Sequence, residues 1–191
     1  MIGKGGWRSW LSLSLMLVLC ALPSHSLLAD AFSDRRAYVG LKLFRTFVGA
    51  DLALEQKLGA DQKLDISLVY AANDSDARDY QQALSDSLPS VRELAVNIRL
   101  RALDDLLHGD VPPAAVFIAE KLSRAELDAL VRYCTEHKVV LFSPFEGDVE
   151  NGVLGGLAVE ASVRPLINMA TLRRSGIELK SFYLTVAKHY D

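Results

Sequence analysis

The stretch AAVFIAEKLSRAELDALVRYCTEHKVVLFS, residues 114–143, decides the fold. Pro112 and Pro113 block a helix just ahead of it, and AAVFIAE (114–120) is a short apolar run of the length of a buried strand. Ser123 and Glu126 stand in the S-x-x-E relation of a capping box. Leu127, Leu130, Val131 and Cys134 follow at i, i+3, i+4 and i+7, the stripe of a helix with one buried face. VVLFS (139–143) is a second apolar strand, so the whole reads as a βαβ unit. Strands apolar on both faces belong to a parallel sheet with helices above and below it.

The same alternation extends outward in both directions. Upstream, AYVGLKLFRTFVGADL spaces Leu41, Phe44, Phe47 and Val48 as an amphipathic helix, and DISLVYAA (65–72) reads as a strand. NDSDARDYQQALSDSL puts Ala77, Tyr80, Leu84 and Leu88 on one helical face, with Asp74 or Ser75 to cap it. LAVNIRL (94–100) is a further strand, and ALDDLLHG a short helix ending at Gly109. Downstream, VLGGLAVE and VRPLINM predict an antiparallel hairpin at the sheet edge. Asn168 then caps a two-turn helix MATLRRS, with Gly176 at its left-handed end and Arg173 and Arg174 suiting its dipole. IELK reads as extended. Ser181 starts a last helix whose inward face is Phe182, Val186 and Tyr190. The expected architecture is a three-layer α/β sandwich with a mostly parallel mixed sheet and a C-terminal antiparallel strand pair and helix.

The first residues are of another kind. MIGKGGWRSW carries Lys4 and Arg8 without an acid, and an apolar run of about a dozen residues, LSLSLMLVLCAL, follows up to Pro23. This predicts a secretory signal peptide over 1–31, with cleavage after SHS (24–26) or ADA (29–31), and a periplasmic mature protein. Leu19 before Cys20 argues against a lipoprotein signal, and Arg35 and Arg36 lie on the wrong side of the apolar run for a twin-arginine signal. Loss of the leader takes Lys4, Arg8 and Asp30 from totals of 21 basic and 24 acidic residues, and leaves a net charge of -4. Such a balance excludes nucleic acid as the natural partner, because that interaction needs a concentrated basic face. The remaining residues, 32–191, are of single-domain length, and Cys134 is their one thiol, so no internal disulfide can form.

No complete catalytic set is present. His108, His137 and His189 lack metal-ligand spacing, and EGDVENG (146–152) lacks the ordered oxygens of a calcium loop. No G-x-S-x-G, P-loop or dinucleotide glycine fingerprint occurs, and no cofactor is implied. Topology alone directs ligands to the carboxyl ends of the parallel strands, at Asn73 and Asp74, Glu120 and Lys121, and Ser143 to Gly147. Phe145, between Pro144 and Glu146, is either a partner contact or a lid on the core.

GGLAVEASVRPLINMATLRRSGIELKSFYLTVAKHYD resembles the C-terminal pattern of the YfiR-like family of exported proteins. The central strand-helix-strand, AYVGLKLFRTFVGA and DISLVYAAND extend the resemblance over nearly all of the mature chain. The resemblance implies an α/β fold and a periplasmic regulator that binds, and holds inactive, the sensory domain of a membrane-anchored signalling protein such as a diguanylate cyclase. Two features depart from the family: the first helix runs into Asp51 without the Trp-Pro of many relatives, and Cys134 stands alone, so redox control by cysteine pairs is not implied. On this reading the docking anchors are Phe145, Arg173 and Arg174, with Glu146 and Asp148 supplying charge selectivity, and a homodimer is an open assembly. The alternative is a periplasmic small-molecule-binding module using Asn73, Asp74, Lys121 and Ser143. A hydrolase or transferase ranks third.

Overall fold

The structure, a computed structural model, describes the backbone over residues 24–191 and side chains from Arg35 onward. The expected leader lies outside the described residues as far as Pro23. One compact unit spans Arg36–Asp191.

An eight-stranded sheet runs through that unit. In chain order the elements are α1 (Ser24–Ala50), a 3-10 turn (Leu54–Lys57), β1 (Leu64–Tyr70), α2 (Ser75–Ser87), β2 (Ser90–Val91), β3 (Leu94–Ala102), α3 (Leu103–Leu107), β4 (Ala115–Ile118), α4 (Arg124–Glu136), β5 (Val140–Phe142), β6 (Gly155–Val159), β7 (Val163–Asn168), α5 (Met169–Ser175), α6 (Ser181–Val186) and β8 (Lys188–Tyr190). The strands lie in the order β2-β3-β1-β4-β5-β6-β7-β8. Strands β3, β1, β4, β5 and β6 are mutually parallel, β2 and β7 pair antiparallel with β3 and β6, and β8 returns parallel to β7. The chain is therefore a mixed α/β protein with a mostly parallel sheet.

Burial explains the strands. Leu64, Ile66, Leu68 and Val69 of β1, and every residue of β4 and β5, are buried, which only helices on both faces can achieve. One face carries α1, α2 and α6. Phe44 of α1 meets Phe117 at 5.4 Å, Tyr38 meets Tyr80 of α2 at 5.5 Å, and Phe47 stacks on Tyr183 of α6 at 5.5 Å. The other face carries α3, α4 and α5, which pack side by side.

The capping box of α4 forms as its spacing requires, with the Ser123 hydroxyl accepting from the Glu126 amide and the Glu126 carboxylate accepting from the Ser123 amide at 2.7 Å. Those hydrogen bonds hold the Glu126 carboxyl below its ordinary range. A depressed folded-state value adds stability above the unfolded-state value, and that contribution is lost as the pH falls through the carboxylate range. Ser123→Ala is expected to cost ~1 kcal/mol, read as a lower urea midpoint at unchanged slope.

Two expectations about the C-terminal part are corrected. The β6–β7 hairpin forms, but β8 pairs outside it, so β7 is not the edge strand. The last helix stops at Val186, and Phe182, Val186 and Tyr190 face outward, 58%, 54% and 39% exposed, while Tyr183 is buried in their place. The cause is Phe47, whose ring stacks on Tyr183 and so selects which side of α6 meets the core.

Candidate functional site

The carboxyl edge of the parallel strands has its switch point between β1 and β4, because the chain leaves β1 for β3 on one side and reaches β4 on the other. There the amides of Ala71, Ala72 and Asn73 all donate to Oε2 of Glu120, at 2.8, 2.9 and 3.2 Å. Three successive amides make a concavity suited to an anion, and the protein's own carboxylate fills it. Asn73 turns its side-chain oxygen to the Ser75 amide at 3.0 Å, and Asp74 pairs with Arg78. That hydrogen bond pushes the Arg78 guanidinium further up. Asp74 occupies the cap position of α2 without a side-chain capping bond.

Beyond β5 the loop is latched. Ser143 Oγ donates to Asp148 Oδ2 at 2.6 Å and accepts from the Phe145 amide at 3.1 Å. Lys121 pairs with the other oxygen of Asp148, donates to the Glu146 carbonyl at 3.1 Å and lies 5.7 Å from the Phe145 ring centre. Arg36 donates to the carbonyls of Pro144 and Leu157, the latter at 3.0 Å. Partial burial lowers the Arg36 guanidinium against the opposing pull of Glu146, Glu150 and Asp148.

This geometry corrects the expected surface roles of two residues. Asp148, read as a charge facing a partner, is 1% exposed, because its carboxylate must satisfy both Ser143 and Lys121. Ser143, read as a ligand contact, is fully buried in the same network. Phe145 is half-buried and packs on the core, whereas Glu146 remains exposed.

Arg173 and Arg174 are both exposed on α5, and Arg174 Nη2 donates to Thr171 Oγ1 at 2.9 Å. The helix starts where predicted, with Asn168 accepting from the Thr171 amide at 2.8 Å, and ends at Gly176 with φ 63°. Asn168 Nδ2 and Thr171 Oγ1 donate to the carbonyls of Val149 and Gly152, so α5 is tied to the loop that carries Phe145. Among the described residues no hydrogen bond or ion pair joins either arginine to Phe145, Glu146 or Asp148.

The histidines are dispersed: His108 bonds the Asp104 carbonyl at 2.8 Å, His189 the Leu184 carbonyl at 2.9 Å, and the His137 ring lies 4.6 Å from that of Tyr133. Among the described residues no group of three His, Cys, Asp or Glu is placed to hold a metal ion. Cys134 is buried, and burial pushes its thiol strongly up, away from the reactive thiolate.

A cleft of about 370 Å³ at the amino edge of the sheet was not anticipated. Its walls are the end of α1 with the following turn, the α4–β5 corner and the segment after α5, represented by Asp51, Leu52, Gln56, Lys57, Lys138 and Glu178. The segment is fastened by the Leu52 amide donating to the Glu178 carbonyl and the Lys180 amide to the Ala50 carbonyl, both at 2.9 Å. Asp51 is fully buried at the floor; its Oδ2 lies 2.6 Å from Lys57 Nζ and its Oδ1 accepts from the Ala53 amide at 2.9 Å. The one signal in the sequence was an acid set within the apolar run from Phe47 to Leu54.

No family model matches the chain, and no curated protein matches it. Solved structures with a similar backbone layout include the ABC domain in complex with L-Trp from Streptococcus pneumonia, at 12% identity and a TM-score of 0.46, covering 74% of this chain and 61% of that one. A conserved domain protein from Vibrio cholerae O1 biovar El Tor gives 12% identity and a TM-score of 0.49 over 73% and 58% of the two chains. A ligand-free, open substrate binding protein with adhesive properties from Clostridium difficile gives 14% and 0.48 over 74% and 60%. The chain thus spans less than two thirds of each of these structures.

Proposed function

We propose that this chain is a periplasmic regulatory module that docks on the sensory domain of a membrane-anchored signalling protein, of the diguanylate cyclase kind, and holds it inactive. The observation that carries this reading is the outward pair Phe182 and Val186, one turn apart on α6 and each more than half exposed. Large apolar side chains grouped in this way are the anchors on which protein interfaces concentrate their energy. The resemblance to YfiR-like proteins supplies the class of partner. Arg173 and Arg174, both exposed, remain available as charged anchors, while Phe145 is partly committed to the core.

The test is co-purification. Phe182→Asp combined with Val186→Asp is expected to abolish recovery of the protein with detergent-solubilised membrane partner, while its melting temperature stays near that of the wild type because neither side chain is buried. Normal recovery of the double variant would remove this surface from the interface, and Arg173→Ala with Arg174→Ala in the same assay reports on α5. The second reading, a small-molecule-binding module, draws its support from the cleft at the amino edge.

A further inference from the structure

We infer that the amino-edge cleft binds a small organic carboxylate, held by Lys57 and Lys138. The inference rests on the cleft alone and stands under either reading of the function.

The charges define the ligand. Asp51 contributes no accessible charge: its side chain is 1% exposed and lies behind Lys57. Lys57, 16% exposed, is ion-paired with the Asp51 carboxylate and donates to the Lys138 carbonyl, each at 2.6 Å. An ammonium carries three donors, so one is left to meet a ligand. The Lys138 ammonium has no hydrogen bond or ion pair among the described residues. It lies 3.9 Å from where a Cβ on Gly176 would stand. The Gln56 side-chain amide, also on the lining, is likewise without a partner among the described residues. Against these donors the exposed acid is Glu178 on the segment after α5. The Asp51–Lys57 pair is neutral as a unit, so an anion would meet the unpaired Lys138 ammonium and the remaining donor of Lys57, with Glu178 the one exposed acid of the lining, and Leu52, Ala53 and Ile177 offer apolar surface to its carbon skeleton.

Lys138 stands just past the end of α4, where the Val139 amide returns to the Cys134 carbonyl at 2.8 Å and closes the helix. Lys138 has φ 54°, a left-handed conformation that costs a residue with a Cβ ~1 kcal/mol or more. This turn is what presents its carbonyl to Lys57. The Asp51–Lys57 pair, as a structural staple, explains the floor; it does not call for a second ammonium on the lining. A volume of about 370 Å³ is at the small end of ligand sites, which suits a metabolite of a few carbons.

The experiment is calorimetric titration and thermal unfolding of the full chain with sodium acetate and sodium succinate, with sodium chloride and sodium phosphate at matched ionic strength as separate arms. A saturable heat and a raised melting temperature are expected with at least one carboxylate, and neither with chloride. Lys138→Met, which removes an exposed charge, should weaken that binding by about tenfold or more without altering unliganded stability, and Gln56→Ala should weaken it less. Absence of a saturable response to both carboxylates overturns the inference, as does unchanged binding by Lys138→Met. Phosphate binding as tightly as carboxylate overturns the assignment of ligand class. No partner protein takes part in these titrations, so their failure is distinct from failure of the docking surface.

Discussion

Gly155→Ala is expected to cost about 3 kcal/mol, and Gly155→Val to leave no folded protein at ordinary temperature. A Cβ at Gly155 would stand 2.4 Å from Phe47 Cε1 and 2.7 Å from Cζ. The ring cannot yield, because it is fully buried between Phe142 at 6.1 Å and Tyr183 at 5.5 Å. Urea unfolding is the measurement, with Gly49→Ala as the control. Gly49 lies in α1, where an added Cβ would stand 3.4 Å from its nearest neighbour, Val91 Cγ1, so the change should gain about 0.5 kcal/mol of helix propensity. Phe47→Leu should restore part of the loss in the Gly155→Ala background. A wild-type midpoint for Gly155→Ala would mean that α1 does not lie this close to β6. Gly156 is confined from the other side, where an added Cβ would stand 2.6 Å from Val149 Cγ2 and 2.8 Å from the Ser143 carbonyl, so the glycine pair serves packing on both faces of one strand.

The second large effect is expected at Lys57. Lys57→Met leaves the Asp51 carboxylate buried without its cation, a change that costs about 3–5 kcal/mol where one partner of a buried pair is removed. The double variant Asp51→Leu, Lys57→Met should recover much of that loss, because no charge then remains to be buried. Chemical denaturation of the two single variants and the double completes the cycle. Equal losses in Lys57→Met and in the double variant would show that the pair adds nothing beyond the packing of the lysine stem.

The fold was legible because its signals are local. Over 114–143 the strand lengths, the capping box and the helical stripe agree, and β4, α4 and β5 form within those limits. The same kind of signal misled at 181–190, where two stripes coexist. Phe182, Val186 and Tyr190 make one, and Tyr183, Leu184 and Ala187 make the other; the second packs inward. Periodicity states that a helix has a packed side without stating which, and here the choice belongs to Phe47, more than a hundred positions away. Strand β8 went unseen for a related reason, since three exposed residues, Lys188 to Tyr190, carry no alternation.

The site was harder to read. Asp148 sits among loop-forming residues and looks solvated, yet Lys121 and Ser143 converge on it only once β4 and β5 are side by side. The cleft at the amino edge is likewise made of distant segments, with Lys57 reaching the Lys138 carbonyl and Glu178 supplied by the return of the chain after α5. The carboxyl edge, where topology directs attention first, has at its switch point three amides already satisfied by Glu120.

The strand order also bears on how the chain can be assembled. Strand β3, with β2 as its hairpin partner, lies on one side of β1 and β4 on the other, and from there β5, β6, β7 and β8 each lie beside the strand made just before. Every addition meets an open border of what already exists, and none has to be wedged between two partners that have already joined. A chain delivered amino end first can therefore build this sheet as it arrives, save that β2 waits for β3 to join it to β1, with the growing border from β4 onward always formed by its newest strand.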